Sequence, residues 1–359
     1  MKSIVCPKCF SRHNVDDLAY GCPNSDCSRE AIPTVVPSGG LGCKECGTHM
    51  TMRFCPDCGF QLTVSEDAAA NLPISIVGSE GCGKSHYLSV LINEIRQNMG
   101  KTYHCSLYPL GGDDTILQYE NNYYNPLYVD GQCIPSTDQD AVTPLIYSLV
   151  FSKEQSGQVC NLTFYDACGA NFRSERVMAD YNRSVYNSRG ILLLIDPSQL
   201  PGLREKFEAS GRRVCTEDFS SLVARTIQLI RQGSNQQNLK KKISIPIAVC
   251  LTKLDSLKSQ LDPASFLNFP SRHLQQDSFD IVDFSCVSQE VQSLIESWGG
   301  TDLINQVKSQ FETVGFFGVS SLGNPPNSED RIAHIAPYRV CDPFLWLLSK
   351  NKIIRATTH

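Results

Sequence analysis

Gly78-Ser79-Glu80-Gly81-Cys82-Gly83-Lys84-Ser85 sits between an apolar run, Ile74-Ser75-Ile76-Val77, and a helix-forming segment over 84–99. A strand, a glycine-rich turn and a helix in that order match the phosphate loop G-x-x-x-x-G-K-[ST]. The glycines let successive backbone N–H groups curl round phosphate oxygens, and the helix start adds the positive end of its dipole. Lys84 then reaches the β- and γ-phosphates, and the Ser85 hydroxyl ligates Mg²⁺. All eight residues, Gly78, Ser79, Glu80, Gly81, Cys82, Gly83, Lys84 and Ser85, are candidate nucleotide contacts.

Outward from that loop, strand and helix alternate. Residues 145–151 and 159–165 read as adjacent strands, 174–187 as a helix and 191–195 as a buried strand. Residues 218–231 read as a helix with Leu222, Leu229 and Ile230 on its apolar face. A strand over 243–251, a mostly helical stretch to 311, a last strand over 314–319 and a short helix capped by Asp342, with Pro343 in its first turn, complete the chain. This alternation predicts an α/β fold with a mainly parallel sheet over 73–350. Two insertions stand out, at 103–139 and 256–311. The first is rich in Tyr and Asn, with Tyr119, Tyr123, Tyr124 and Tyr128, and is expected to pack on the surface.

A phosphate loop does not choose between ATP and GTP; three further segments do. Asp166-Ala167-Cys168-Gly169 ends an apolar strand and matches D-x-x-G, in which the Asp holds Mg²⁺ through water and the Gly N–H meets the γ-phosphate. Thr252-Lys253-Leu254-Asp255 matches the guanine-reading N/T-K-x-D pattern. The Asp255 carboxylate would accept from guanine N1–H and its exocyclic amine, a donor pair that adenine lacks. Leaving that acceptor unpaired costs about 1–3 kcal/mol. Lys253 would lie over the base. Ser320-Ser321-Leu322 resembles the S-A-K/L motif, whose backbone N–H supports the guanine O6. Each segment ends a predicted strand, the edge where ligands bind in open α/β sheets.

These residues resemble the translation-factor-related class of P-loop GTPases, which includes Ras. The zinc-ribbon-like front end, the long insertion and the ending Asp342-Pro343-Phe344-Leu345-Trp346-Leu347-Leu348 are similar to the prokaryotic double-GTPase families. The resemblance implies a Ras-like six-stranded sheet, GTP and GDP with Mg²⁺ as ligands, and a switch role in a multi-component system. It also implies a protein partner, such as a GTPase-activating protein or a second GTPase. The first switch needs a Thr whose hydroxyl binds Mg²⁺ and whose backbone senses the γ-phosphate. Thr143, just before the strand at 145–151, is the first choice by spacing, and Thr137 is its rival. Where Ras-like proteins often carry a water-orienting Gln, this chain has Ala170 followed by Asn171. Hydrolysis is therefore expected to be slow, to use Asn171, or to need groups from a partner. Arg173 and Arg176 read as solvated charges on the second switch helix, with neutralisation of transition-state charge as the alternative.

The chain has 359 residues and 17 cysteines. Eight of these, in pairs, fall within residues 1–62: Cys6 and Cys9, Cys22 and Cys27, Cys43 and Cys46, Cys55 and Cys58. C-P-x-C-G knuckles aim thiolates at one metal, and four thiolates satisfy tetrahedral Zn²⁺. Two structural zinc ions are expected, followed by a linker at 63–72. Sequential pairing of the knuckles is simplest, with crossed pairing as the alternative. His13 or His49 substituting as a ligand, iron–sulfur ligation and a disulfide framework are lesser alternatives. Six Lys/Arg against six Asp/Glu in residues 1–62 argue against a phosphate-binding face and for protein docking. The net charge is −5 and no run is long and apolar enough to span a bilayer. A cytoplasmic protein is expected. Two other functions stay open: a GTP-holding scaffold with negligible turnover, and a nucleotide-gated nucleic-acid binder.

Overall fold

The computed structural model describes residues 3–24, 27, 33–35, 41–62, 70–111, 113–135, 144–153, 157–166, 182–209, 214–215, 217–233 and 241–358. A seven-stranded sheet organises the main body. Its strands are β1 (Ala70–Gly78), β2 (Cys105–Pro109), β3 (Leu145–Phe151), β4 (Val159–Asp166), β5 (Gly190–Ile195), β6 (Ile247–Leu251) and β7 (Val314–Gly318), in the spatial order β7-β6-β5-β1-β4-β3-β2. Strands β1, β4, β5, β6 and β7 run parallel; β3 is antiparallel to β4, and β2 to β3.

The sequence of β5 shows why this sheet is buried on both faces. Every residue of Gly190-Ile191-Leu192-Leu193-Leu194-Ile195 is buried, as a central parallel strand requires. Its side chains alternate between two cores. Leu192 and Leu194 join Ile74, Ile76 and helix α1 (Lys84–Glu94), while Ile191, Leu193 and Ile195 meet the other face. That second face is covered by the helices Pro201–Ala209, Phe219–Gly233, Ile281–Ser297 and Thr301–Gln310. In the second of these, Leu222, Val223, Thr226 and Ile230 form the buried stripe.

Several expectations change. The sheet has one strand more than six, because the first insertion contributes β2. Strand β1 starts at Ala70, four residues before its apolar run, so residues 70–72 are strand rather than linker. The insertion is not a surface decoration. Its helix Asp113–Tyr119 runs into a π-helical segment, Glu120–Val129, and Tyr103, Tyr119, Tyr123 and Leu127 are buried. The tyrosines can be buried because their hydroxyls find acceptors: Tyr119 donates to the Ser89 carbonyl at 3.0 Å and Tyr103 to that of His273 at 2.9 Å.

Helix Asp342–Lys350 begins one residue earlier than expected, with Cys341 rather than Asp342 as its cap. The Asp342 carboxylate is diverted into a buried network. Arg339 Nη1 bonds Asp342 Oδ2 at 2.8 Å and Asp283 Oδ2 at 2.9 Å, and Ser271 donates to Asp342 Oδ1 at 2.6 Å. His273 Nδ1 accepts the Asp280 N–H at 3.1 Å, which leaves Nε2, 3.4 Å from Asp283, as the protonated nitrogen. His273, Asp283 and Asp342 lie close enough to hold a metal, but Arg339 occupies their centre and satisfies the carboxylates. Removing the cation would strand two buried carboxylates. Arg339→Ala is expected to lose about 3–5 kcal/mol of stability in a denaturant titration, whereas the exposed Arg331→Ala should lose less than about 1 kcal/mol.

Candidate functional site

The loop joining β1 to α1 depends on its glycines. Gly81 and Gly83 have φ of 77° and 96°, where a side chain is strained, and a Cβ on Gly78 would stand 2.9 Å from the Leu194 carbonyl. Lys84 is buried and donates to the carbonyls of Gly78 and Ser79 at 2.9 and 2.8 Å. A phosphate entering the loop would offer it a charged partner in place of two neutral ones. Asp166, at the end of neighbouring β4, is 3% exposed. Burial raises its pKa, and the charge of Lys84 and hydrogen bonds from Ser85 and Tyr123 oppose that rise. Its Oδ1 is buried with no donor in hydrogen-bond geometry. The Ser85 hydroxyl and this carboxylate are hard oxygen donors of the kind Mg²⁺ takes, so the residues fit the ion.

The ends of β6 and β7 complete the edge. Thr252 Oγ1 lies 3.1 Å from the carbonyls of both Cys82 and Ile195 and ties the loop to β5. Lys253, in the left-handed region at φ 52°, donates to the Gly81 carbonyl at 3.1 Å and pairs with Asp196 Oδ2 at 2.5 Å. Burial lowers the Lys253 pKa, but Asp196 more than offsets this, so the ammonium is held charged. Asp255 Oδ1 accepts from the Ser320 hydroxyl at 2.5 Å, and Ser320 Oγ accepts from Gly323 N–H at 2.9 Å. Ser320 therefore orients the carboxylate before any ligand arrives. Ser321 follows it in the chain, and the Leu322 carbonyl accepts from Ala336 N–H at 2.9 Å.

Lys84, Ser85, Asp166, Thr252, Lys253, Asp255 and Ser320 thus share one sheet edge. Thr137, Thr143, Gly169, Ala170, Asn171, Arg173 and Arg176 lie outside the described residues. Three participants escaped the sequence reading. Asp196 had a usable signal, an acid directly after a buried parallel strand. Tyr123 and His86 had none. His86 Nε2 accepts the Ile134 N–H at 3.1 Å, and burial, followed by the charge of Lys253, lowers its pKa to about 4, so the imidazole is neutral at pH 7.

The amino-terminal cysteines form two tetrads, but their pairing is neither sequential nor crossed. Cys6, Cys9, Cys55 and Cys58 make one, and Cys22, Cys27, Cys43 and Cys46 the other. The second is nested inside the first. Ala19–Gly21 and Gln61–Leu62 both pair with Met52–Phe54, and this sheet sets Ala19, just past the first hairpin, opposite Phe54, the residue before Cys55. In the outer tetrad the Cys6–Cys58 and Cys9–Cys55 sulfurs are both 3.6 Å apart; in the inner, Cys22–Cys46 and Cys27–Cys43 are 3.5 and 3.4 Å apart. These distances are too long for disulfides and near the ~3.8 Å between thiolates around tetrahedral zinc. The residues fit two Zn²⁺ ions. His13 belongs to neither tetrad; its Nε2 stands 3.4 Å from Cys55 Sγ as a neighbour of the ligand.

The module is seated on the sheet. The Phe10 ring meets Tyr165 edge-on at 6.3 Å, Asn71 donates to the Val5 carbonyl at 3.0 Å, and Phe60 and Leu62 cluster with Ile146. Among the described residues, no helix is long and apolar enough to cross a membrane.

The phosphate loop, the acid on the adjacent strand and the ordered T-K-x-D and S-S-L turns define a P-loop GTPase fold of the Ras-like class, joined to an N-terminal cysteine-cluster module. The chain belongs to the Double-GTPase 2 family, whose model matches residues 72–305. It is also similar to the Putative ESX-1 scaffolding and assembly protein SaeC of Mycolicibacterium smegmatis, at 23% identity over 392 residues, covering 96% of this chain and 98% of that protein.

Two outcomes follow from this geometry. The double variant Cys6→Ser/Cys58→Ser should retain about one zinc per chain of the wild type's two, because both residues serve one tetrad; sequential pairing would leave none, and metal analysis of purified protein distinguishes them. Asp196→Asn should release Lys253, and a nucleotide bound at this edge should then be held about five- to tenfold more weakly, discounted because Lys253 is partly exposed; nucleotide titration measures it.

Proposed function

We propose that this protein binds GTP with Mg²⁺, hydrolyses it slowly, and uses the bound state to control assembly with protein partners in a multi-component system. The observation that carries the reading is the Ser320-oriented Asp255 carboxylate, on the same sheet edge as Lys84 and Asp166. A half-buried, pre-aimed acceptor beside a lysine platform suits guanine and leaves an unpaired charge opposite adenine. Lys84 would hold the β- and γ-phosphates, and Ser85 and Asp166 would hold the ion, which neutralises phosphate charge when bound. Gly169 would meet the γ-phosphate, Thr143 or Thr137 would sense it from the first switch, and Asn171, next in sequence after Ala170, would be the substitute for the missing water-orienting side chain. No described cysteine is in a disulfide, which suits a reducing cytoplasm.

A second reading is a GTP-holding scaffold with negligible turnover. It is favoured by Ala170 and by the likeness to a protein named for scaffolding and assembly. No observation favours a nucleic-acid role.

The test is a titration of zinc-loaded protein with fluorescent GTP and ATP analogues plus Mg²⁺, with phosphate release followed in the same tube. The switch reading expects selective GTP binding and slow release that a partner accelerates; the scaffold reading expects binding without release. Lys84→Ala should abolish binding, and Asp255→Asn should move preference from guanine toward xanthine. Unchanged GTP affinity in either variant would sink the site assignment.

A further inference from the structure

Asp166 has a partner that no phosphate-loop motif requires. Tyr123 donates its hydroxyl to Asp166 Oδ2 at 3.3 Å, across 43 residues of sequence. Both side chains are buried. The tyrosine comes from the insertion, on the π-helical segment Glu120–Val129, an irregularity that often marks functional positions.

Its placement is fixed from three sides. Tyr119 stacks on its ring, with centroids 6.3 Å apart and planes 14° from parallel. The Ser89 hydroxyl donates to the Tyr123 carbonyl at 3.0 Å. Tyr119 in turn donates to the Ser89 carbonyl, so two tyrosines and one serine clamp the insertion onto α1 just past Lys84 and Ser85. Burial, followed by the charge of Asp166, pushes the Tyr123 pKa well above its ordinary value, so the phenol stays a neutral donor. One oxygen of Asp166 is held by this donor, and the other, Oδ1, is the buried one without a hydrogen-bond partner.

We propose that Tyr123 is a positioning residue for the Mg²⁺ ion, holding Asp166 Oδ2 so that Oδ1 is left to the ion's water shell. The inference rests on the nucleotide reading above. A carboxylate fixed through one oxygen cannot swing away from the ion, the arrangement by which outer-shell partners raise metal affinity. It also gives the insertion a task, since the segment leading to both first-switch threonine candidates is tied to the metal-binding acid.

The experiment uses full-length, zinc-loaded protein and fluorescent GDP, whose release is timed across a Mg²⁺ titration and again in EDTA. Tyr123→Phe keeps the ring and removes only the hydroxyl. The Mg²⁺ midpoint should rise on the order of tenfold, with release in EDTA unchanged. Tyr119→Phe, whose lost hydroxyl points to Ser89, should leave the midpoint near wild type. An unchanged midpoint in Tyr123→Phe would overturn this inference alone. So would an equal shift in Tyr119→Phe, or faster release in EDTA and Mg²⁺ alike, because either would assign Tyr123 to packing. A wild type that holds guanine nucleotide with no response to Mg²⁺ would overturn it too. A wild type that does not bind guanine nucleotide at all would instead overturn the function proposed above and remove the ground of this inference.

Discussion

Strand β1 is hydrogen-bonded on both sides, to β4 and to β5, and runs directly into the glycine loop. Every functional turn takes its position from that strand. Parallel neighbours carry their polar turns at the same end, because their apolar middles must be covered by helices on both faces. Asp166 reaches the loop because β4 is in register beside β1, with Asp166 opposite Ile76. Lys253 and Asp255 arrive through β6, one strand beyond β5, and Ser320 through β7. Apolar burial thus aligns groups that are far apart in the chain, and short polar ties such as Thr252 to Cys82 fix the remaining freedom.

The parts of this arrangement that could be read from the sequence are those with local signatures. The glycine loop, the buried run of β5 and the C-P-x-C knuckles each depend on a few neighbouring residues. The tyrosine-rich insertion has no such signature. Its polar composition suggests a surface segment, yet Tyr119 and Tyr123 are buried because Ser89 and Asp166 accept their hydroxyls, partners that only the folded chain brings near. Asp342 was misread for the same reason: a cap is a local inference, but Arg339 and Ser271 compete for its carboxylate. The Asp196–Lys253 pair joins two strand ends, each with its own local signal, but their pairing is set only by the register of β5 beside β6.

The cysteine module and the GTPase-type body share more than a linker. Phe10 occupies the position after its knuckle that Gly47 and Gly59 fill in two others, and it adopts φ 61°, close to their 69° and 67°. A left-handed backbone is unfavourable for a residue with a side chain. Here the ring is turned against Tyr165, the residue before Asp166. The backbone penalty is set against a contact that joins the outer tetrad to the strand that ends in Asp166. Arg183, donating to the Cys9 carbonyl at 3.4 Å, adds a second tie from beyond that strand.

Nesting also orders events during synthesis. The inner tetrad is complete once Cys46 has left the ribosome, while the outer one must wait for Cys58. A metal held first by the inner cysteines closes part of the long loop between Cys9 and Cys55, so less chain entropy remains to be lost when the outer knuckles meet. The outer tetrad then seats against Ile146 and Tyr165, residues made later still. The amino-terminal module can therefore be metallated and closed before β3 and β4 exist, and it offers those strands a preformed surface as they emerge.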